Sequence, residues 1–151
     1  MTGRYDFSDR VALVTGGGRG IGRAIALGLA ECGAKLVLAS RTQAELDEVA
    51  AEIKEKGTDA IAVVTDLMKS ESIDALVEAA VQTYGRVDIL VNNAARSFMR
   101  PLMELREDGW DKIFNVNCKA VFLLSRAVAK NMAEHGGGRI VNISTVGAVR
   151  G

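Results

Sequence analysis

Cysteine, proline and histidine are scarce in this chain of 151 residues, which contains two cysteines, one proline and one histidine. Two cysteines are too few for a disulfide framework, so we expect Cys32 and Cys118, both in helical patterns, to be small core residues in a reducing compartment. His135 precedes three glycines near a predicted helix end, where a capping or surface role is expected rather than catalysis. No metal site is predicted.

Net charge and long apolar runs are also lacking. Lysine plus arginine and aspartate plus glutamate both number 19, so no overall field draws the protein to nucleic acid or to an anionic membrane. No apolar run approaches the roughly 18 residues that span a bilayer, and the amino terminus has no signal-peptide core. We therefore expect a cytoplasmic protein without nucleic-acid or membrane partners, in which any anion site is local.

Glycine, by contrast, is plentiful, and the segment Thr15–Gly22 has the sequence TGGGRGIG. It lies between the apolar run Val11–Val14, typical of a buried strand, and an amphipathic helix pattern. Residues without a Cβ permit a tight turn, and the helix N-terminus that follows suits a pyrophosphate. The spacing does not follow G-x-G-x-x-G, so a merely flexible turn is the alternative. The cofactor-binding candidates in this turn are Gly16, Gly18, Arg19, Gly20, Ile21 and Gly22.

Strand and helix patterns alternate along the rest of the chain. Thr42 and Glu45 have the spacing of a capping box at the start of the second helix, and one long helix is predicted over 108–134. The alternation indicates right-handed βαβ crossovers and predicts an α/β fold, a Rossmann-like, doubly wound parallel sheet in three layers with strand order 3-2-1-4-5. Residues 1–151 are expected to form a single domain. The predicted strands are Val11–Val14, Lys35–Ala39, Ala60–Val64, Val87–Val91 and Arg139–Ile143.

Polar or glycine-rich residues follow every predicted strand, and in such sheets ligands bind beyond the carboxyl ends of the strands. Asp66, next to Leu67, could accept a hydrogen bond from an adenine amino group, or could only satisfy N–H groups of a turn. Asn93 and the small Ala94 could let a flat ring approach, or could be ordinary loop residues. The exits after the second to fifth strands are Ser40 with Arg41, Asp66 with Leu67, Asn92 to Ala95, and Ser144 with Thr145.

The exit of the second strand bears on the choice of cofactor. A fold that prefers NAD usually has an acid there to bind ribose hydroxyls, whereas this chain has Ser40 followed by Arg41. The guanidinium of Arg41 suits a phosphate monoester, and Arg19 could bind it from the other side. The alternative for each arginine is a solvated surface position. Together the two arginines predict NADP(H) in preference to NAD(H).

The long helix carries an apolar stripe that includes an amide. Asn117 falls on the stripe, where an amide without partners would cost a few kcal/mol. It is either a core asparagine satisfied by local backbone or a residue that holds a water or a side chain in an active site. The apolar members of the stripe are Trp110, Phe114, Val121, Leu124 and Val128.

Several segments in their order along the chain resemble the short-chain dehydrogenase/reductase family. They are the glycine turn, the strand exit at Asp66, the N-N-A-A sequence from Asn92, the V-N pair ending at Asn117, and the I-V-N-I-S-T sequence ending at Thr145. The resemblance extends over nearly the whole chain. It implies an oxidoreductase that transfers a hydride between a nicotinamide cofactor and a small molecule, either a ketone or aldehyde or a secondary alcohol; with the two arginines, the expected cofactor is NADP(H).

The same resemblance implies roles for individual residues and an assembly. It assigns Asp66 to the adenine, Asn93 to the nicotinamide side, Asn117 to a proton-relay water and Thr145 to the substrate oxygen. A homodimer or homotetramer, formed partly through the long helix, is also implied.

The chain departs from the family pattern at two positions. Ala95 replaces the last glycine of N-N-A-G, which is a small change. Thr145 stands where the family has its catalytic serine; its hydroxyl can still donate, but the added methyl restricts the rotamer and crowds the substrate. Ser144 is a poor substitute because successive strand residues point to opposite faces.

The catalytic Tyr-x-x-x-Lys pair of the family would fall beyond Gly151, so we interpret the chain as the cofactor-binding front of the family fold, without its later strands. Tyr5 and Tyr84 do not replace the pair, because each is followed four residues later by an aspartate. A phenol with a pKa of about 10 needs a nearby cation to act at neutral pH. The alternative function is a non-catalytic module that binds a dinucleotide without turnover.

Overall fold

The computed structural model describes residues 5–146, so the two ends of the predicted domain, 1–4 and 147–151, lie outside the described part. Strands and helices alternate throughout, as the hydrophobic pattern predicts. A short 3₁₀ helix, Leu102–Glu104, and a π-helical segment, Asn115–Lys119, interrupt the alternation. The strands are β1 Val11–Thr15, β2 Lys35–Ser40, β3 Ala60–Val64, β4 Ile89–Asn92 and β5 Arg139–Asn142, and the helices are α1 Gly20–Glu31, α2 Gln43–Glu55, α3 Ser70–Tyr84, α4 Glu107–Phe114 and α5 Ala120–Glu134.

The five strands form one parallel sheet in the order β3-β2-β1-β4-β5, which confirms the predicted fold class and strand order. β1 is the central strand, where Leu13 pairs with Val37 of β2 and with Leu90 of β4. All five residues of β1 are buried. A parallel strand covered on both faces needs a continuous apolar run, which is why this segment has no polar alternation.

Two hydrophobic cores lie on the two faces of the sheet. Alternate residues of β1 point to opposite faces, so Val11 and Leu13 join one core while Ala12 and Val14 join the other. Buried residues of α3 and α5 complete the first core, and buried residues of α1 and α2 complete the second. The result is the three-layer arrangement that the sequence predicts.

The long predicted helix is helical from Glu107 to Glu134, but the π-helical segment divides it. Leu124 and Val128 are buried as expected, whereas Trp110 and Phe114 are 51% and 44% exposed and stack on each other. The prediction of one continuous buried stripe was therefore wrong for its first half. One extra residue in a turn rotates the following face by about 100°, so a single stripe cannot stay buried on both sides of the π segment.

Two further expectations of the sequence are corrected. The capping box does not close, because Thr42 makes no side-chain hydrogen bond to the first turn of α2 and Glu45 instead approaches Arg19. Cys118 is exposed rather than a core residue, and Cys32 is half-buried. Cys118 lies in the π segment, where the change of helical phase alters which side chains face inward.

The edge strand β5 has all four residues exposed, including Ile140 and Val141. Within the described residues its one strand partner is β4. Among residues 5–146, no helix is long and apolar enough to cross a membrane.

A buried carboxylate joins the amino ends of β1 and β4. Asp88, whose side chain is 5% exposed, accepts the Val11 N–H at 3.0 Å, the Arg86 Nε at 3.0 Å and the Arg10 Nη1 at 3.1 Å. Burial alone would raise the pKa of Asp88, but the Val11 N–H and the two guanidinium groups outweigh it and lower the pKa below its ordinary value. The ionised form of Asp88 therefore stabilises the folded state.

We expect Asp88→Asn to lower the free energy of unfolding at pH 7 by about 2 kcal/mol, because it removes the charge from several hydrogen bonds. A carboxyl with a lowered folded-state pKa contributes all of its stability above its unfolded pKa of about 3.9, and loses it as the pH falls through the folded-state value. Below about pH 4 the wild type should therefore lose stability more steeply than the variant.

Urea denaturation between pH 7 and pH 2.5 measures this difference. Asp74→Asn is the matched control, because Asp74 is exposed on α3 and has no partner among the described residues. Parallel stability profiles for the wild type and Asp88→Asn would contradict the assignment.

Candidate functional site

A cavity of about 370 Å³ opens at the carboxyl ends of β1, β2, β3 and β4. Four of the five predicted strand exits meet there, and the exit of β5 does not contribute. The predicted residues that line the cavity are Gly16, Gly18, Arg19, Gly20, Ser40, Arg41, Asp66, Leu67, Asn93 and Ala94. Its other lining residues are Ala39, Thr42, Glu45, Thr65, Met68, Ala95, Arg96 and Val116.

The side chain of Thr15 connects the floor of this cavity to β4. Its buried hydroxyl donates to the Val91 carbonyl at 3.3 Å and accepts the N–H groups of Asn93 at 3.0 Å and Ala94 at 3.1 Å. The Asn93 side-chain amide returns a bond to the Thr15 carbonyl at 2.9 Å. These bonds fix the exit of β4 relative to the glycine turn that follows β1.

The glycine turn is built on close contacts that exclude side chains. Gly16 has a φ of +67°, and a Cβ at this position would lie 2.8 Å from the Asn93 amide nitrogen. A Cβ at Gly22 would collide with the Gly16 carbonyl oxygen. Gly22 is buried behind the turn and does not line the cavity, so its function is to let α1 approach the turn.

The N-terminus of α1 faces the cavity without a side-chain cap. Arg19 is the N-cap residue but makes no capping hydrogen bond, and the first turn contains no acid. Gly20 lines the cavity with a φ of +55°, and a Cβ there would meet nothing within 4 Å. A helix N-terminus with open N–H groups and no competing carboxylate in its first turn fits the pyrophosphate of a dinucleotide.

The two predicted phosphate-binding arginines differ in their surroundings. Arg19 Nη1 lies 3.8 Å from Glu45 Oε1. The guanidinium of Arg41 has no ion pair or hydrogen bond within the described part of the chain. Next to Arg41, the Ser40 hydroxyl accepts the Thr42 N–H at 3.3 Å and shapes the turn into α2. One cation is thus partly neutralised, whereas the other is available to an anion.

Asp66 serves the local turn but retains acceptor capacity. Its Oδ1 accepts the Met68 N–H at 3.0 Å, and its own N–H donates to the Ser72 hydroxyl at 3.0 Å. The second carboxylate oxygen has no partner among residues 5–146. Turn chemistry and ligand binding, the two alternatives from the sequence, are therefore compatible.

Asn117 lies outside the cavity lining and holds the loop after β4. Its Oδ1 accepts the Arg96 N–H and its Nδ2 donates to the Arg96 carbonyl, both at 2.8 Å. The partner is backbone, as one alternative from the sequence expected, but it is not local, because Arg96 is 21 residues away along the chain. The π-helical turn carries Asn117 together with Val116, which does line the cavity.

Two other predicted residues also lie outside the lining. Ile21 is 65% exposed on the first turn of α1, and Thr145 is exposed just after β5. Sequence reasoning placed Glu45 in a capping box rather than in the site, and it gave the side chain of Thr15 no role of its own within the glycine turn. Only Thr15 carried a usable signal, since it is the one hydroxyl at the end of an otherwise apolar strand.

The tyrosines at positions 5 and 84 do not form a proton-transferring pair with lysine. Burial and the hydrogen bond to Asp59 raise the pKa of Tyr84, which moves this phenol further from proton transfer at neutral pH. Lys35 Nζ lies over the face of the Tyr84 ring, 5.8 Å from its centre, while the hydroxyl donates to Asp59 at 3.0 Å. No three histidine, cysteine, aspartate or glutamate side chains within residues 5–146 are grouped to hold a metal.

A central parallel sheet with a glycine turn at the start of its first helix defines a Rossmann-like α/β protein. A family model described as short chain dehydrogenase matches residues 10–151. The chain therefore belongs to the short-chain dehydrogenase family, which confirms the resemblance in the sequence.

Individual relatives agree with this membership. "Dehydrogenase/reductase SDR family member 4" of Bos taurus is 44% identical over 98% of this chain and 53% of its own length. A metagenomic short-chain oxidoreductase in complex with NADP is 41% identical, with a TM-score of 0.89 over 92% of this chain and 63% of that protein. An NAD⁺-bound xylitol dehydrogenase is 33% identical, with a TM-score of 0.91 over 96% of this chain and 56% of that protein. The chain spans about half the length of the curated relatives it matches.

We expect Thr15→Val to lower the free energy of unfolding by about 2 kcal/mol, because it leaves the Asn93 and Ala94 N–H groups without their acceptor. Thr15→Ser keeps the hydroxyl and loses one methyl group, so it should cost about 0.8 kcal/mol. Chemical denaturation of the three proteins measures both values. If the serine variant were as unstable as the valine variant, packing of the methyl rather than the hydroxyl would hold the site.

Proposed function

We propose that the protein binds NADP(H) in this cavity and belongs to an oxidoreductase that transfers a hydride between the nicotinamide and a small molecule. The substrate class is a ketone or aldehyde in one direction and a secondary alcohol in the other. The observation that carries the cofactor choice is the guanidinium of Arg41 at the exit of β2, which has no partner within residues 5–146 and follows Ser40 instead of an acid. Such a cation suits the 2′-phosphate that distinguishes NADP(H) from NAD(H).

Relatives of this chain use either cofactor, so its own residues must carry the choice. One solved relative is in complex with NADP and another is NAD⁺-bound. Arg19 and Arg41 line the same cavity as Ser40, and an acid at Ser40 would repel a 2′-phosphate. This combination favours NADP(H).

The remaining residues of the cavity fit the other parts of the cofactor. We assign the pyrophosphate to the uncapped N-terminus of α1, the adenine to Asp66 and Leu67, and the nicotinamide side to Asn93 and Ala94. When bound, the nicotinamide supplies or accepts the hydride. The protein contributes a turn and a strand exit that Thr15 holds in one arrangement, so little order has to be created on binding.

Two residues outside the cavity are assigned to substrate chemistry. The Thr145 hydroxyl is suited to donate a hydrogen bond to the substrate oxygen, and its position after β5 is at the same end of the sheet as the cavity. We assign Asn117, which binds the backbone of Arg96 next to the cavity, to the orientation of a proton-relay water.

We also propose how the protein is organised. Residues 1–151 form one cofactor-binding domain, and the protein is cytoplasmic. It assembles as a homodimer or homotetramer through the helical segment that exposes Trp110, Phe114 and Phe122, because large exposed apolar side chains on one segment are typical of interfaces.

Arg41→Glu should weaken NADP(H) binding by at least about tenfold, because a charge-assisted hydrogen bond to the phosphate contributes about 1.5–3 kcal/mol and the variant adds repulsion. NAD(H) binding should change little. Fluorescence titration with both reduced cofactors gives the dissociation constants.

Lys130→Glu is the matched control for the change of net charge, because Lys130 is exposed on α5 and lies outside the cavity. Equal losses for the two cofactors in Arg41→Glu, or an equal loss in the control, would show that Arg41 does not touch the 2′-phosphate.

The reaction is tested on the whole protein that carries this chain. We expect oxidation of NADPH in the presence of some members of a panel of ketones and aldehydes, followed as loss of nicotinamide absorbance. Thr145→Val, which removes the hydroxyl at nearly constant volume, should lower kcat while leaving the dissociation constant of NADPH unchanged. NADPH binding without turnover on any carbonyl or alcohol would leave only the binding half of the proposal.

A further inference from the structure

We propose that Glu45 is a built-in competitor for the 2′-phosphate, a carboxylate that occupies Arg19 in the absence of cofactor and thereby limits selectivity for NADP(H) over NAD(H). This inference rests on the proposed function and concerns the selectivity of that same site. Glu45 is thus a specificity-determining residue beside the two arginines.

The position of the Glu45 carboxylate in the cavity carries the inference. Arg19 Nη1 and Glu45 Oε1 are 3.8 Å apart, and both residues line the cavity together with Ser40, Arg41 and Thr42. The first turn of α2 projects Glu45 toward the glycine turn. The end of β2 has Ser40 in place of an acid, but Glu45 brings a carboxylate to the same cavity.

The two members of the ion pair differ in their exposure to solvent. The Arg19 side chain is 81% exposed, whereas that of Glu45 is 35% exposed. Glu45 packs against the glycine turn so closely that a Cβ at Gly18 would lie 2.9 Å from its Cβ and 3.3 Å from its Oε2. Glu45 therefore packs against the turn, whereas the more exposed Arg19 has more room to reach a phosphate.

The ion pair has little structural function. Exposed ion pairs contribute little to stability, and the capping box that Glu45 could form with Thr42 does not close. A second ion pair, between Arg23 and Glu52, already joins α1 to α2 away from the cavity. Exchange of Arg19 from Glu45 to a phosphate would therefore cost the fold little.

The consequence for binding follows from charge. A phosphate monoester brings a charge of about −1.5 to −2 at pH 7, and after Arg19 has changed partner the carboxylate remains close to it. The negative charges of the phosphate and of the Glu45 carboxylate repel each other. The 2′-phosphate therefore binds less tightly than it would to the two arginines alone. The ribose hydroxyls of NAD(H) carry no charge and escape this cost.

The test isolates the 2′-phosphate with two small nucleotides, adenosine 2′,5′-bisphosphate and adenosine 5′-monophosphate, in isothermal titration calorimetry. In about 50 mM salt, where surface charges are only partly screened, we expect Glu45→Gln to tighten the bisphosphate at least about threefold and to leave the monophosphate unchanged. The gain should shrink as salt is added, because part of the site is solvent-exposed. NADP(H) should follow the bisphosphate, and NAD(H) the monophosphate.

Glu48→Gln is the matched control, since Glu48 is exposed on the same helix and has no partner within the described residues. Weaker bisphosphate binding by Glu45→Gln would mean that Glu45 orients Arg19, and would overturn the proposal. An equal gain in Glu48→Gln would overturn it too. If the wild type binds NADP(H) but Glu45→Gln brings no gain, this inference fails alone; if the wild type binds neither dinucleotide, the proposed function fails with it.

Discussion

The hydroxyl of Thr15 accepts two backbone N–H groups from the exit of β4, and the shape of the cavity depends on that contact. Thr15 is the last residue of the central strand, so its position is set by both cores. From it the chain enters the glycine turn on one side, while Asn93 and Ala94 are fixed on the other. Without this contact, the N–H groups of Asn93 and Ala94 would lose their acceptor at the point where β4 meets the turn.

The features that the sequence predicted are those that depend on local patterns. A continuous apolar run at Val11–Val14, the glycines that follow and the regular return of amphipathic helices were sufficient for the fold class and strand order, because right-handed crossovers leave few topologies. Strand exits were also predictable, since position along the chain determines which residues face the carboxyl edge. Ser40, Arg41 and Asp66 are found where this reasoning placed them.

What could not be predicted depends on partners distant in sequence or on small changes of helical phase. Nothing in the local pattern around Asn117 indicates a π-helical turn, and the turn exposes Trp110 and Phe114 and turns the amide of Asn117 to Arg96. Glu45 fits a capping box by spacing, yet its charge is drawn to Arg19 on another element. In both cases the observed contact joins residues on different elements, and the local pattern carries no information about it.

The contacts at the two ends of β1 also bear on how the protein is made. Arg10 with Asp88, and Thr15 with Asn93, each join residues 78 positions apart. During synthesis the glycine turn emerges long before β4, so for most of that interval its outer wall does not exist. The nucleotide cavity can therefore form only after Ala94 has left the ribosome. The glycine motif is synthesised well before the site to which it contributes.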